Sequence, residues 1–263
     1  MNTIRIENDT STIIREIPSS WKELTKEQLL FVAPRVMLSN ANNDLLREMA
    51  VYFLKLPKSF YRLMNLSQLD AIADTFNFFW LENDLSIQHI PQFRTGLFKK
   101  LYGPASRLEN CSAAEWAFAD KFLNAFLKTK DEKDLNSLVA CLYRPSGKNH
   151  PMTDVREEFD VNKVDHYSTH TSKLYLSQRL AVAIFFMGCR THIIDRFKAV
   201  FSVKKAKRKA DKSGWLGFFY DLAGPKTGTF HEVSAYNIYE LLSILEKLIT
   251  DSEEQTSKHN SKK

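Results

Sequence analysis

Two pairs of metal-capable side chains are spaced to act together. His166 and His170 stand at i, i+4, and Cys189 and His192 at i, i+3, so on helical segments either pair would offer two ligands from one face. A structural zinc site needs four ligands and a catalytic one three, and no sequence-local residue completes either set. Cys189 closes an apolar run and is expected in the core. His166 and His170 are expected in a polar loop or at a helix entrance. Asp154, Glu157, Glu158 and Asp160 crowd together around Arg156, a pattern expected of solvated surface. No Gly-x-Ser-x-Gly elbow is present, and no cysteine stands in a nucleophile context. Gly224-Pro225-Lys226-Thr227-Gly228 holds the letters of a phosphate loop in the wrong order, and it follows a helix where such a loop follows a strand. It reads as a helix stop and turn. No catalytic, cofactor or metal-binding residue is assigned, and the expectation is a protein that is not an enzyme.

The remaining chemical feature is a run of charge. The chain carries a formal net charge of +6, and the segment from Lys204 to Lys212 holds six basic residues and one acid, leaving +1 for the rest. A whole-surface electrostatic footprint is therefore absent. Lys204, Lys205, Lys207, Arg208 and Lys209 would be the phosphate contacts of a nucleic-acid-associated protein, acting by counterion release. The aromatics from Trp215 to Tyr220 would then be stacking platforms. Yet Trp215, Phe218, Phe219 and Leu222 recur at helical spacing, which suits core packing and leaves the basic run as a solvated or partner-facing loop. Protein contact leads, and nucleic acid is the alternative.

These residues must be positioned by helices. Nineteen Phe against 8 Gly and 8 Pro suit bulky helix packing better than a many-stranded sandwich. Residues 1–20 form a β element: Thr3 to Ile6 and Thr12 to Ile17 are rich in Ile and Thr, with turn residues between. Thr25 and Gln28 fit a capping box, and the first helix should run from Lys26 to about Leu38. A second follows Asn43, with Leu46, Met49, Ala50 and Phe53 on one face. Ser67 with Asp70 opens a third. Residues 82–112 are irregular and mark a possible subdivision of the helical domain, 21–250. Ser112 and Glu115 make another capping box. The helix they open presents Trp116, Ala119, Phe122, Leu123 and Phe126 inward and Asp120, Lys121, Asn124 and Lys128 outward. Asp131 starts a further helix that stops at Arg144-Pro145. A polar loop covers 146–171, and the longest helix runs from about Ser172 to Phe201, apolar all round from Leu180 to Met187. A last helix spans Ala235 to Ile249, and residues 251–263 form a polar tail expected to be disordered. The fold class is mainly α: a multi-helix globular bundle with a short N-terminal β-hairpin.

The apolar content of 44% and charged content of 26% argue against wholesale disorder. Cys111, Cys141 and Cys189 are odd in number and far apart, which suits a reducing compartment. Met1 to Arg5 lacks the order of a secretory signal. The run from Leu180 to Cys189 is half the length of a spanning helix. Together these predict a cytoplasmic protein that does not enter a membrane.

Several phrases also carry a family likeness. Trp21-Lys22-Glu23-Leu24-Thr25-x-x-Gln28-Leu29, Leu101-Tyr102-Gly103-Pro104 and Glu115-Trp116-x-Phe118-Ala119-Asp120 are the first three. Leu135-x-x-Leu138-x-Ala140-x-Leu142-Tyr143-Arg144-Pro145, Phe185-Phe186-x-Gly188-Cys189-Arg190, and Trp215 ahead of Gly228-x-Phe230 follow. Across most of residues 17–250 the chain resembles helical phage and prophage proteins encoded near the tail tape-measure gene. That resemblance implies a tail-assembly or chaperone-like role in the cytoplasm of a bacterial host, with a phage tail component as partner. Its phrases are packing and turn motifs, so no functional residue is carried over.

Overall fold

The computed structural model describes the chain except residues 9–10, 58–59, 62–63, 96–98, 148–153, 208–213, 226 and 261–263, and it leaves undescribed the side chains of 8, 11, 99, 203–207, 214, 216, 218, 221 and 253–260. The fold is mainly α, as its sequence predicts, and no helix among the described residues is long and apolar enough to cross a membrane. The chain divides into two compact units, Met1–His89 with Tyr175–Gly188, and Ile90–Leu174 with Cys189–Lys263. The first crossing falls inside the stretch read as irregular.

The first unit opens with an antiparallel hairpin, β1 (Asn2–Asn8) and β2 (Ser11–Ile17), in register from Asn2↔Ile17 to Asn8↔Ser11. Helix α1 (Lys26–Leu38) starts at Thr25, whose hydroxyl accepts from the Gln28 amide while Gln28 Oε1 accepts from the Thr25 amide. It continues through Pro34, where the Arg35 guanidinium donates to the Phe31 carbonyl at 2.7 Å beside the missing donor. Helix α2 (Asn43–Leu54) is capped by Asn42 and buries Leu46, Met49, Ala50 and Phe53, the face predicted. Helix α3 (Leu66–Ala73) begins two residues earlier than expected: Asn65 and Gln68 form a reciprocal capping box, so Ser67 is not the cap. A 3-10 stretch, Asp74–Trp80, follows. Aromatic packing fills this core, with Phe53 stacked on Phe76 at 5.0 Å and Trp21 edge-on to Phe79 at 4.8 Å. Asn83 ties the returning segment in place, donating to the Ile184 carbonyl at 2.8 Å.

The second unit holds a hairpin that the sequence reading left as irregular chain, β3 (Gln92–Thr95) and β4 (Lys99–Tyr102). Helix α4 (Ala113–Thr129) turns at left-handed Lys130 into α5 (Glu132–Leu142), capped by Asp131. The supposed polar loop contains α6 (Val164–Thr171), which packs on α5. Helix α7 (Leu176–Arg196) belongs to both units, and its residues from Leu180 to Phe186 are all buried. It ends at Arg196, not Phe201; a turn at Phe197, whose ring lies 6.0 Å from that of Tyr239, separates it from α8 (Lys198–Lys207). Neither Gly nor Pro marks that break. Helices α9 (Gly214–Leu222), α10 (Phe230–Ala235) and α11 (Ile238–Asn260) complete the unit. Helix α11 is the longest described, at 23 residues. It runs through most of the supposed disordered tail, because residues 251–260 are helix-compatible and contain no Gly or Pro.

Two phrases of the sequence have packing explanations. A Cβ on Gly103 would stand 2.6–2.9 Å from the ring of Tyr143, whose hydroxyl donates to the Ile90 carbonyl at 2.7 Å. Tyr102 and Arg144 exchange backbone hydrogen bonds of 2.8 and 3.1 Å. Leu101-Tyr102-Gly103-Pro104 and Tyr143-Arg144-Pro145 are therefore two halves of one junction.

Candidate functional site

That junction forms one wall of a half-open cleft of about 410 Å³ in the second unit. The hairpin supplies Thr95, Lys100, Leu101 and Tyr102, and the chain leaving α5 supplies Pro145 and Ser146. Helix α6 supplies the facing wall with His166, Tyr167 and His170. The helix is entered through Asp160, whose carboxylate accepts from the Asn162 amide at 2.9 Å. Its i, i+4 spacing sets the two imidazoles side by side, ring centroids 5.1 Å apart and nearly perpendicular.

A set of paired charges adjoins the cleft. Tyr167 donates its hydroxyl to Glu157, and Lys163 pairs with the same carboxylate. Lys163 first and Tyr167 second hold the Glu157 carboxyl below the usual glutamate range. Burial, and then Glu157 itself, pushes the Tyr167 phenol well up, so its proton stays in that bond at neutral pH. Arg144 donates to the Glu157 carbonyl at 2.8 Å and reaches Glu115 at 3.1 Å. Arg156 bridges Glu115 at 2.5 Å and Asp154 at 2.8 Å, and also donates to the carbonyls of Leu142 and Asn110. Burial opposes the Arg156 charge, yet Glu115 and then Asp154 hold its pKa above the ordinary arginine value. Two guanidiniums face two carboxylates, so the knot is electrically balanced, as a buried charge cluster must be.

The knot corrects three expectations. Arg156 is fully buried and Asp154 largely so, where a solvated loop cluster was expected. Ser112 accepts from the Glu115 amide, but Glu115 does not reach back to complete a capping box, because its carboxylate serves the two arginines. Asp120, placed outward by helical periodicity, is buried: Arg190 meets it at 2.9 Å and the Trp215 indole N–H donates to it at 3.2 Å.

The other sequence candidates have different fates. Cys189 is buried, and burial pushes its thiol well up, as it does for Cys111 and Cys141. Burial, then Arg107 and Arg196, lowers the pKa of His192, which favours the neutral ring. No cluster of three or more His, Cys, Asp or Glu among the described residues is arranged to hold a metal. Lys204, Lys205 and Lys207 lie on the last turns of α8, not in a loop, while Arg208 and Lys209 lie outside the described residues. Gly224 and Gly228 exchange backbone hydrogen bonds in a closed turn, with Gly228 at φ 91°. Of the lining residues, His166 and His170 stand out in the sequence by their spacing, whereas Thr95, Lys100, Tyr102 and Ser146 do not. The available signal was the pair of short strand-like runs flanking Gly96.

No family model matches the chain, and no curated protein or solved structure does so. The cleft is therefore interpreted from its own residues.

Proposed function

We propose that the protein is a non-enzymatic interaction factor that holds a partner protein through the cleft of the second unit, as expected of a tail-assembly protein whose partner is a phage tail component. The supporting observation is the cleft's lining: apolar surface from Leu101 and Pro145 and convergent hydrogen-bonding groups from both walls, carried on a hairpin and a helix. A concave site with a few convergent polar groups is the usual form of a recognition pocket. Its size suits one or two side chains of a partner. The groups around it serve orientation: Tyr167 is committed to Glu157, and the arginine knot fixes the wall behind.

The nucleic-acid alternative draws on Lys204, Lys205, Lys207, Arg208 and Lys209. The first three belong to helix α8, where a loop was expected. Protein contact remains the preferred function.

Ser146 is exposed at the cleft mouth, so Ser146→Trp should fill the cleft without disturbing the fold. Co-expression with the tail proteins of a prophage, followed by affinity purification, tests the proposal. Wild type should carry a tail component through purification, and Ser146→Trp should lose it while keeping the wild-type thermal transition. Equal recovery by both proteins would remove the cleft from the function.

A further inference from the structure

We infer that the cleft accepts a carboxylate, presented by an acidic segment of the partner protein. The inference rests on the proposed recognition role and adds the chemistry of what is recognised. Three nitrogen bases, Lys100, His166 and His170, line the space together with the hydroxyl-bearing Thr95, Tyr102 and Ser146. No carboxylate is among the described lining residues. Lys100 lines the cleft and makes no ion pair among the described residues.

The acids bonded to the cleft wall are already matched. Glu157, the acid bonded to the lining residue Tyr167, is already taken by Lys163 as well. Glu115 and Asp154 are matched by Arg144 and Arg156. An arriving carboxylate bonded by the Lys100 ammonium would make the kind of charge-assisted bond that is stronger than a neutral one. The apolar patch from Leu101 and Pro145 suits the methylene stem of an acidic side chain rather than a bare inorganic ion.

The test uses the full chain with histidine-ring resonances as reporters. Three probes are titrated separately: a short glutamate-rich peptide, its glutamine counterpart, and inorganic phosphate. The glutamate peptide should shift the His166 and His170 signals, and the glutamine peptide should not. Lys100→Gln, at an exposed position, should weaken the glutamate peptide about tenfold, the size of one charge-assisted bond. Added salt should weaken it further. Equal response to both peptides, or response to phosphate alone, would overturn the inference. Silence of the glutamate peptide, with Ser146→Trp still abolishing partner recovery, would remove the carboxylate and leave the recognition role standing. Partner recovery unaffected by Ser146→Trp would remove the recognition role itself.

Discussion

Glu115 shows what long-range packing does to a locally reasonable residue. Its side chain is 2% exposed, and its charge is tolerable there because Arg144 and Arg156 both reach it. Removing Glu115 leaves Arg144 without its carboxylate and Arg156 with Asp154 alone, so Glu115→Ala should cost about 3–5 kcal/mol. Urea denaturation would measure this, and a loss below about 1 kcal/mol would mean that the knot is dispensable. Glu157 is half-buried and makes a pH-dependent contribution. Its folded pKa lies below the ordinary 4.5, chiefly through Lys163. The stability it supplies is complete above that ordinary value and disappears as pH falls through the lowered folded one. Stability measured down the acid limb should therefore fall less in Glu157→Gln than in wild type; parallel acid limbs would show that Lys163 and Tyr167 do not hold the carboxylate. Neither residue's role could be read locally. Asp120 fails for the same reason: Arg190 and Trp215 lie 70 and 95 residues along the chain, while a periodicity argument reads one helix.

At the scale of elements, the signals that proved legible are those completed within four residues. The Thr25 box, the Asn42 cap and the Asp131 cap each satisfy a helix's first amides from adjacent sequence, so those starts fall where expected. The hairpin β3–β4 was hidden because its strands are four residues each, too short for alternation to stand out. The turn at Phe197 was hidden because packing, not a breaker residue, accompanies it. Gly188 reverses an intrinsic preference within α7. Replacing a helix-interior glycine by alanine ordinarily gains about 1 kcal/mol. Here a Cβ would meet the Leu85 carbonyl and stand 2.8 Å from Asn83 Oδ1. Gly188→Ala should instead lose about 1–3 kcal/mol by overpacking, read as a lower denaturant midpoint. A higher midpoint would deny the close approach.

At the scale of the molecule, composition was enough for the class: many Phe and few Gly or Pro announce helices, and the fold is mainly α. Only the first crossing of the division, inside 82–112, was legible, because the first unit is assembled from two stretches of chain, Met1–His89 and Tyr175–Gly188. No linker marks such an arrangement. It predicts that Met1–His89 expressed alone will show no cooperative thermal transition by circular dichroism. Joining Tyr175–Gly188 to its end through a flexible linker should restore one. A cooperative melt of the short fragment would show that the returning segment is an accessory.

Asn83 and Leu85 also set a clock. Their partners on α7, Ile184 and Gly188, are made only after some hundred further residues have been translated. Ribosomes add about 5–20 residues each second, so Met1–His89 waits roughly 5–20 s for the segment that completes it. During that interval the Asn83 side chain lacks the Ile184 carbonyl, and Leu85, buried in the finished protein, lacks the close approach of Gly188. A protein proposed to hold another during assembly is thus itself incomplete for several seconds of its own synthesis.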